Sequence, residues 1–306
     1  MSTPTAAQAP LPPLDGLGAI PFSAGTRPPA ARLPANACDC HLHVYDGRVP
    51  AVPGARLLPP DASVQDYRRL QQRTGLRRAV VVTPSTYGTN NAAMLQALRA
   101  LGDDARGVAV IDGSESDDTL ARMHAQGVRG VRLNLSLAVD ASAALLMPMA
   151  QRIAPLGWHL QVLMAPDLLC AQADVLAQLP VPLVFDHFAR LSPADAGTHP
   201  AHAFVLQLLR ARRAWVKLSG GYIVSPRRTT EDPALDALAR SFLDAAPERV
   251  VWGSDWPHAT ASAGVQPMPD DARQLDRLAQ WIGDDALFQR VLVRNPAALY
   301  GFPSIP

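Results

Sequence analysis

The chain has 306 residues, with 28 basic against 27 acidic side chains and only three cysteines, Cys38, Cys40 and Cys170. This near-neutral balance, with no basic stripe, argues against nucleic acid or an anionic membrane surface as a partner. The sparse thiols give no disulfide framework. The absence of a signal-like leader or an apolar run near ~18 residues completes the expectation of a cytoplasmic protein large enough for one barrel or two smaller domains.

Twelve of the 29 prolines fall in residues 1 to 60. Residues 1–35 read as an extended, proline-rich arm that wraps the surface, contacts a partner subunit in a homo-oligomer, or forms a poorly ordered tail. From residue 36 to 306 short β-branched runs alternate with helix-like stretches. The strand candidates are ACDCHLH (37–43), RAVVVTP (78–84), GVAVID (107–112), GVRLNL (130–135), WHLQVLM (158–164), PLVFDH (182–187), AWVKLS (214–219) and RVVWGSD (249–255). Between them, DASVQDYRRLQQRTG opens on Asp61 and ends on Gly75, and SESDDTLARMHAQG puts acids in its first turn and Gly127 after its last, as helix ends prefer. Eight strands alternating with helices predict a (β/α)8 TIM barrel. The rival is a doubly wound open sheet, but no dinucleotide-type glycine fingerprint follows the first strand.

Barrel chemistry gathers at the C-terminal strand ends. Those ends here carry His41 and His43, then Ser85 and Tyr87, Arg132 and Asn134, Asp186 with His187 and Arg190, Lys217 with Tyr222, and Asp255 with His258. Strict alternation puts Asp39, His41 and His43 on the lumen face and Cys38 and Cys40 under the helices. His124, His199 and His202 read as surface residues, His159 as structural, and Lys217 as a lumen ion-pair member.

DCHLHVYD, TPSTYGTNN, GVRGVRLNL, FDHFAR, VKLSGGY, VWGSDWPH and NPAALYGF occur in one order along most of the chain. Together they resemble the amidohydrolase superfamily, in the branch of 2-pyrone-4,6-dicarboxylate lactonase and sugar-acid lactonases. The resemblance implies a somewhat distorted barrel that opens a lactone by adding water. His41, His43 and His187 would surround the carbonyl and stabilise the oxyanion, while Asp255 would take the proton of the attacking water. Ser85, Tyr87, Arg132, Arg190, Tyr222 and His258 are the expected substrate contacts. No lysine or acid lies on strands four or five to bridge two metals. That argues against a binuclear site; the resemblance to the lactonase branch implies metal-free catalysis, with a single Zn²⁺ on His41, His43 and Asp255 as the alternative.

Several of the lactonase's carboxylate grips fall on apolar positions here. Its second arginine after VRLNL meets Ser136, Leu137 and Ala138, and its late strand-five tyrosine meets Leu163. The arginine after strand seven meets Ile223 or Val224, and the tyrosine before the proline pair meets Leu57. A less charged, one-carboxylate lactone is expected. The competing chemistries are a metal-dependent decarboxylase or C–C hydrolase, and a sugar-acid lactone isomerase. The isomerase is similar in GGYIVSP and VPAVPG, but keeping both His41 and Asp255 favours hydrolysis.

Overall fold

The computed structural model describes residues 18–136 and 142–303. All eight predicted strands are present: β1 (Cys38–Leu42), β2 (Arg78–Val82), β3 (Ala105–Ala109), β4 (Val128–Asn134), β5 (His159–Leu163), β6 (Leu183–Phe185), β7 (Ala214–Leu218) and β8 (Val250–Trp252). They are all parallel, in the order β1 to β8, with helices between them. The ring closes beyond the end of β8. Asp255 N donates to His41 O at 2.8 Å and His43 N donates to Trp256 O at 2.8 Å. Gly253 is required at this seam, because a Cβ there would lie 2.7 Å from the backbone nitrogen of His41.

The helices follow their end signals. The first runs Val64–Thr74, two residues later than its opening aspartate suggests. Ser63 and Asp66 form its capping box, and Gly75 ends it in the left-handed conformation. Asp61 instead accepts from Gly47 N. Among the described residues, no helix is long and apolar enough to cross a membrane.

Residues 18–35 lie along the barrel. Ala31 N donates to Asp276 Oδ1, Arg73 donates to Gly25 O, and the Phe22 ring packs edge-on against Trp256. Residues 137–141, where a second arginine was sought, lie outside the described residues, as do 1–17 of the arm.

The alternation expected along β1 fails. Asp39 pairs with Ala79 but Leu42 with Val81, so Cys40 and His41 together oppose one residue of β2. This bulge reverses the facing of the residues before it. Cys38 and Cys40 share a cluster with Val80, Val82, Val108, Val184, Trp215 and Val251. Residues of β2, β3, β6, β7 and β8 meet only inside the barrel, so both thiols face the lumen rather than the helices. Below them Tyr300 and Phe302 complete the cluster, and the Arg78 and Arg106 guanidiniums stack on the Phe302 ring.

Asp39 faces outward. Its carboxylate accepts from His41 N, Ser254 N, Ser254 Oγ and Tyr67 OH, tying β1 to the segment after β8. Burial, partly offset by these donors, pushes its pKa up to about 6.

Candidate active site

At the C-terminal mouth of the barrel is a cavity of about 140 Å³. Its walls include His43, Ser85, Arg132, His187, Arg190 and Asp255, six of the residues singled out from sequence. Tyr45, Arg56, Thr86 and Thr260 also line it, and sequence reasoning missed them; Ile223, which stands where an arginine was expected, lines it too. They sit on loops whose approach to the mouth depends on tertiary packing. Arg56 is placed by the segment 46–61, which is held by Val52 N donating to Thr86 O and by Thr86 Oγ1 donating to Leu57 O.

Beyond the bulge, His41 and His43 both reach inward. His41 is fully buried beneath the cavity floor, and His43 and Asp255 are at the floor. Asp255 Oδ1 lies 3.6 Å from His41 Nε2, 3.9 Å from His43 Nε2 and 3.8 Å from His187 Nε2. Three imidazoles from β1 and the end of β6 thus converge on one carboxylate oxygen from the end of β8.

His187 opens an unusual turn. His187, Phe188, Ala189 and Arg190 all have left-handed backbone, with φ of 48°, 55°, 55° and 59°. Each such non-glycine residue costs roughly 1–2 kcal/mol, which surrounding packing must outweigh. The turn brings both His187 and Arg190 to the cavity wall. Gly220, itself at φ 56°, makes room for His187, since a Cβ there would lie 2.8 Å from His187 Nδ1.

Tyr222 and His258, expected to touch substrate, lie behind Asp255 instead. Tyr222 OH donates to Asp255 Oδ2 at 2.5 Å and contacts His258 Nδ1 at 3.2 Å. His258 Nε2 is 3.1 Å from Asp271 Oδ2. Burial opposes the imidazolium of His258, yet Asp271 outweighs it and raises the pKa. Burial, then Asp255, lifts the Tyr222 phenol well above its ordinary range, so it stays protonated as a donor. Tyr87 is also away from the cavity: its hydroxyl accepts from Asp46 N and donates to Asp46 O, anchoring the 46–61 segment. A single sequence supplies these hydrogen-bonding residue types but not which partner each one meets.

Beneath His41 is a fully buried charged network. Asp186 Oδ2 accepts from Arg132 Nε at 2.9 Å and from Gln161 Nε2 at 3.0 Å. Lys217 Nζ donates to Gln161 Oε1 at 2.7 Å and lies 3.5 Å from Asp186 Oδ1, as an ion-pair reading requires. Burial opposes ionisation of Asp186, but His41, then Lys217 and Arg132 beside it, hold its carboxyl well below the usual range. Arg190 is different: among the described residues it has no ion pair or hydrogen bond. It is a half-buried guanidinium facing a cavity with an open fork.

Burial pushes His41 well below the ordinary imidazole range and also lowers His187. Burial, then Arg132, lowers His43 to about 4. All three are neutral near pH 7, so each presents one N–H and one lone pair. His43 Nδ1 is 2.7 Å from Val82 O. A carbonyl only accepts, so the proton is on Nδ1 and Nε2 turns its lone pair toward Asp255. In this state His43 accepts a hydrogen bond and does not donate one to an oxyanion.

Of the other histidines, the three read as surface residues are at least partly buried, while His159 is structural as expected. His202 is buried, accepting from Gly197 N and contacting Ser241 Oγ. His124 is half-buried and accepts from Trp158 Nε1, while half-buried His199 caps the helix Pro200–Arg210. His159 is buried in the barrel, edge-on to Tyr300.

By residue type the cluster fits one zinc ion. His41, His187 and Asp255 offer ligand atoms all within 4.8 Å of one another, with His187 in the place the sequence-based set gives to His43. The outer contacts are mixed. A zinc-bound imidazole usually donates its other N–H to a carboxylate, carbonyl or water, and His41 Nδ1 has both such a carboxylate, Asp186 Oδ1, and the competing Lys217 Nζ at 3.2 Å.

Comparison with known proteins gives the chain its family. The chain is 34% identical over 300 residues to a 2-pyrone-4,6-dicarboxylate hydrolase of Comamonas testosteroni, covering 92% of this chain and 96% of the relative. It is 31% identical to a 4-sulfomuconolactone hydrolase of Rhizobium radiobacter (96% and 98% covered) and 30% identical to a D-galactarolactone isomerase of Agrobacterium fabrum (90% and 94%). The crystal structure of an Agrobacterium tumefaciens protein superposes with a TM-score of 0.82 at 28% identity, over 90% of this chain and all of that one. With the amidohydrolase family model matching residues 38–302 as well, the chain belongs to the amidohydrolase family.

Proposed function

We propose that this protein hydrolyses the ring ester of a small anionic lactone, using its own side chains and no metal. The observation that carries this reading is the placement of Asp255. One of its oxygens is fixed by Tyr222, and the other faces three neutral imidazoles at the floor of a small cavity. A water between Asp255 Oδ1 and His43 Nε2 meets two acceptors, so both of its protons are held while its oxygen attacks the lactone carbonyl. Asp255 takes one proton and returns it to the ring oxygen as the C–O bond breaks. His41 and His187, with Nε2–H toward the cavity, stabilise the oxyanion. Arg190 grips a substrate carboxylate with its open fork, Arg132 supports it from the Asp186 side, and Ser85 supplies a hydroxyl. A bound zinc would supply Lewis-acid polarisation of the carbonyl through His41, His187 and Asp255. No step above is routed through one.

The relatives named for lactone and pyrone substrates support this assignment, as does the retention of Asp255, whose carboxylate a hydrolytic route needs. The test is a panel of sugar-acid and aromatic-degradation lactones, followed by acid release and product analysis. Asp255→Asn is expected to fold and to lose about 10²–10⁴ in kcat. Retention of a tenth or more of the rate, or a rearranged lactone as product, rejects the reading.

A further inference from the structure

Two buried groups compete for the far nitrogen of His41. Lys217 Nζ and Asp186 Oδ1 each lie 3.2 Å from His41 Nδ1. The nitrogen cannot serve both. Toward the lysine it accepts a proton, and toward the carboxylate it donates one.

The near side of the ring decides between them. His43 must carry its proton on Nδ1, because that atom bonds Val82 O, so His43 Nε2 is a lone pair. His41 Nε2 lies 3.3 Å from it. A hydrogen bond there, made before substrate enters, needs the proton on His41 Nε2, which leaves His41 Nδ1 bare and turned to Lys217; once a water takes the His43 lone pair, that N–H is released toward the oxyanion. The rest of the network agrees. Gln161 is oriented by Nε2 donating to Asp186 Oδ2, so its Oε1 aims Lys217 Nζ from below. Asp186 Oδ2 takes two donors, while Asp186 Oδ1 makes no hydrogen bond.

We propose that Lys217 is a positioning residue that holds His41 in the Nε2–H tautomer, which makes His41 a hydrogen-bond donor to the cavity and closes it as a metal ligand. Zinc binding through Nε2 needs the opposite arrangement, a bare Nε2 with Nδ1–H on Asp186. Lys217, the chain's only lysine, blocks that arrangement by occupying Nδ1. His41's donor role toward an oxyanion rests on the lactone-opening reading; its tautomer and its closure to zinc do not.

The test uses the full-length protein labelled with ¹⁵N-histidine, with His41 signals assigned by their loss in His41→Asn. Long-range proton–nitrogen spectra of the wild type are expected to show His41 protonated at Nε2 and bare at Nδ1. The metal-stripped wild type, equilibrated with zinc chloride, is expected to hold zinc at least about 10-fold more weakly than Lys217→Met, in which Asp186 gains His41 Nδ1. An Nδ1–H signal for His41 in the wild type, or zinc bound there as tightly as in Lys217→Met, overturns the proposal. If circular dichroism finds Lys217→Met unfolded, the wild-type tautomer alone decides. Failure to open any lactone in the panel counts against the proposed function and leaves this result unaffected.

Discussion

The two oxygens of Asp255 have different surroundings, and the difference is made by residues that never reach the cavity. Asp271 holds His258, His258 meets Tyr222, and Tyr222 donates to Asp255 Oδ2. Removing that phenol frees the carboxylate to rotate away from the three imidazoles. A hydrogen bond to a charged group is worth about 1.5–3 kcal/mol, so Tyr222→Phe is expected to lower kcat on the order of 10- to 100-fold with a much smaller change in KM. Steady-state kinetics of the variant check this, and equal losses in both parameters would place Tyr222 among the substrate contacts instead. The residues proposed for catalysis were legible as candidates: His41, His43, His187 and Asp255 stand at strand ends and lie in motifs that resemble the family's. The roles around it were less so. Tyr222 as a contact and Tyr222 as a clamp on Asp255 look identical in one dimension, because both need the same residue just after β7.

Individual elements were located to within a few residues, but a one-residue irregularity misled the facing of β1. Strict period-2 counting has no term for a bulge, so Asp39 was put inside and Cys38 and Cys40 outside. The hydrophobicity of CDCHL gives no warning, since every residue of β1 is buried on either face. The same kind of tight geometry recurs at the seam of the barrel. A Cβ on Gly253 would come within 2.6 Å of His41 Cβ as well as meeting backbone, so no side-chain rotation relieves it. Gly253→Ala is expected to push β8 from β1 and to cost about 1–3 kcal/mol. Thermal unfolding of the variant measures the loss, and an unchanged Tm would mean that the seam yields freely.

For the whole molecule, the buried imidazoles set the acid limit. Burial lowers the His43 pKa to about 4 in the fold, from an ordinary 6.5 in the unfolded chain. Between those values the unfolded chain binds the extra proton. The stabilising difference is therefore fully present above about pH 6.5 and is lost as pH falls toward 4. His41, His187 and His159 shift in the same direction. Asp39 acts oppositely. With its pKa raised to about 6 from 3.8, it favours the fold as pH falls through that window. His258 and Asp270, also raised, act with Asp39, but the four fully buried lowered imidazoles outweigh them, so Tm is expected to be lower at pH 5 than at pH 7. A Tm that rises on acidification would contradict the neutral, buried state of the cluster. The barrel was legible because its eight apolar runs and their spacing repeat over the whole chain, whereas the cavity depends on loops that no repeat describes.

The far end of the cylinder is stoppered by Tyr300 and Phe302, with the Arg78 and Arg106 guanidiniums stacked on the Phe302 ring. The cork keeps bulk solvent from a pair of thiols whose sulfurs stand 3.7 Å apart. Drawing it with Phe302→Ala should let a water-soluble thiol reagent reach Cys38 and Cys40 from below, on the side opposite the catalytic mouth. The measured labelling rate would then report leakage through the base of the barrel while lactone turnover at the other end continues.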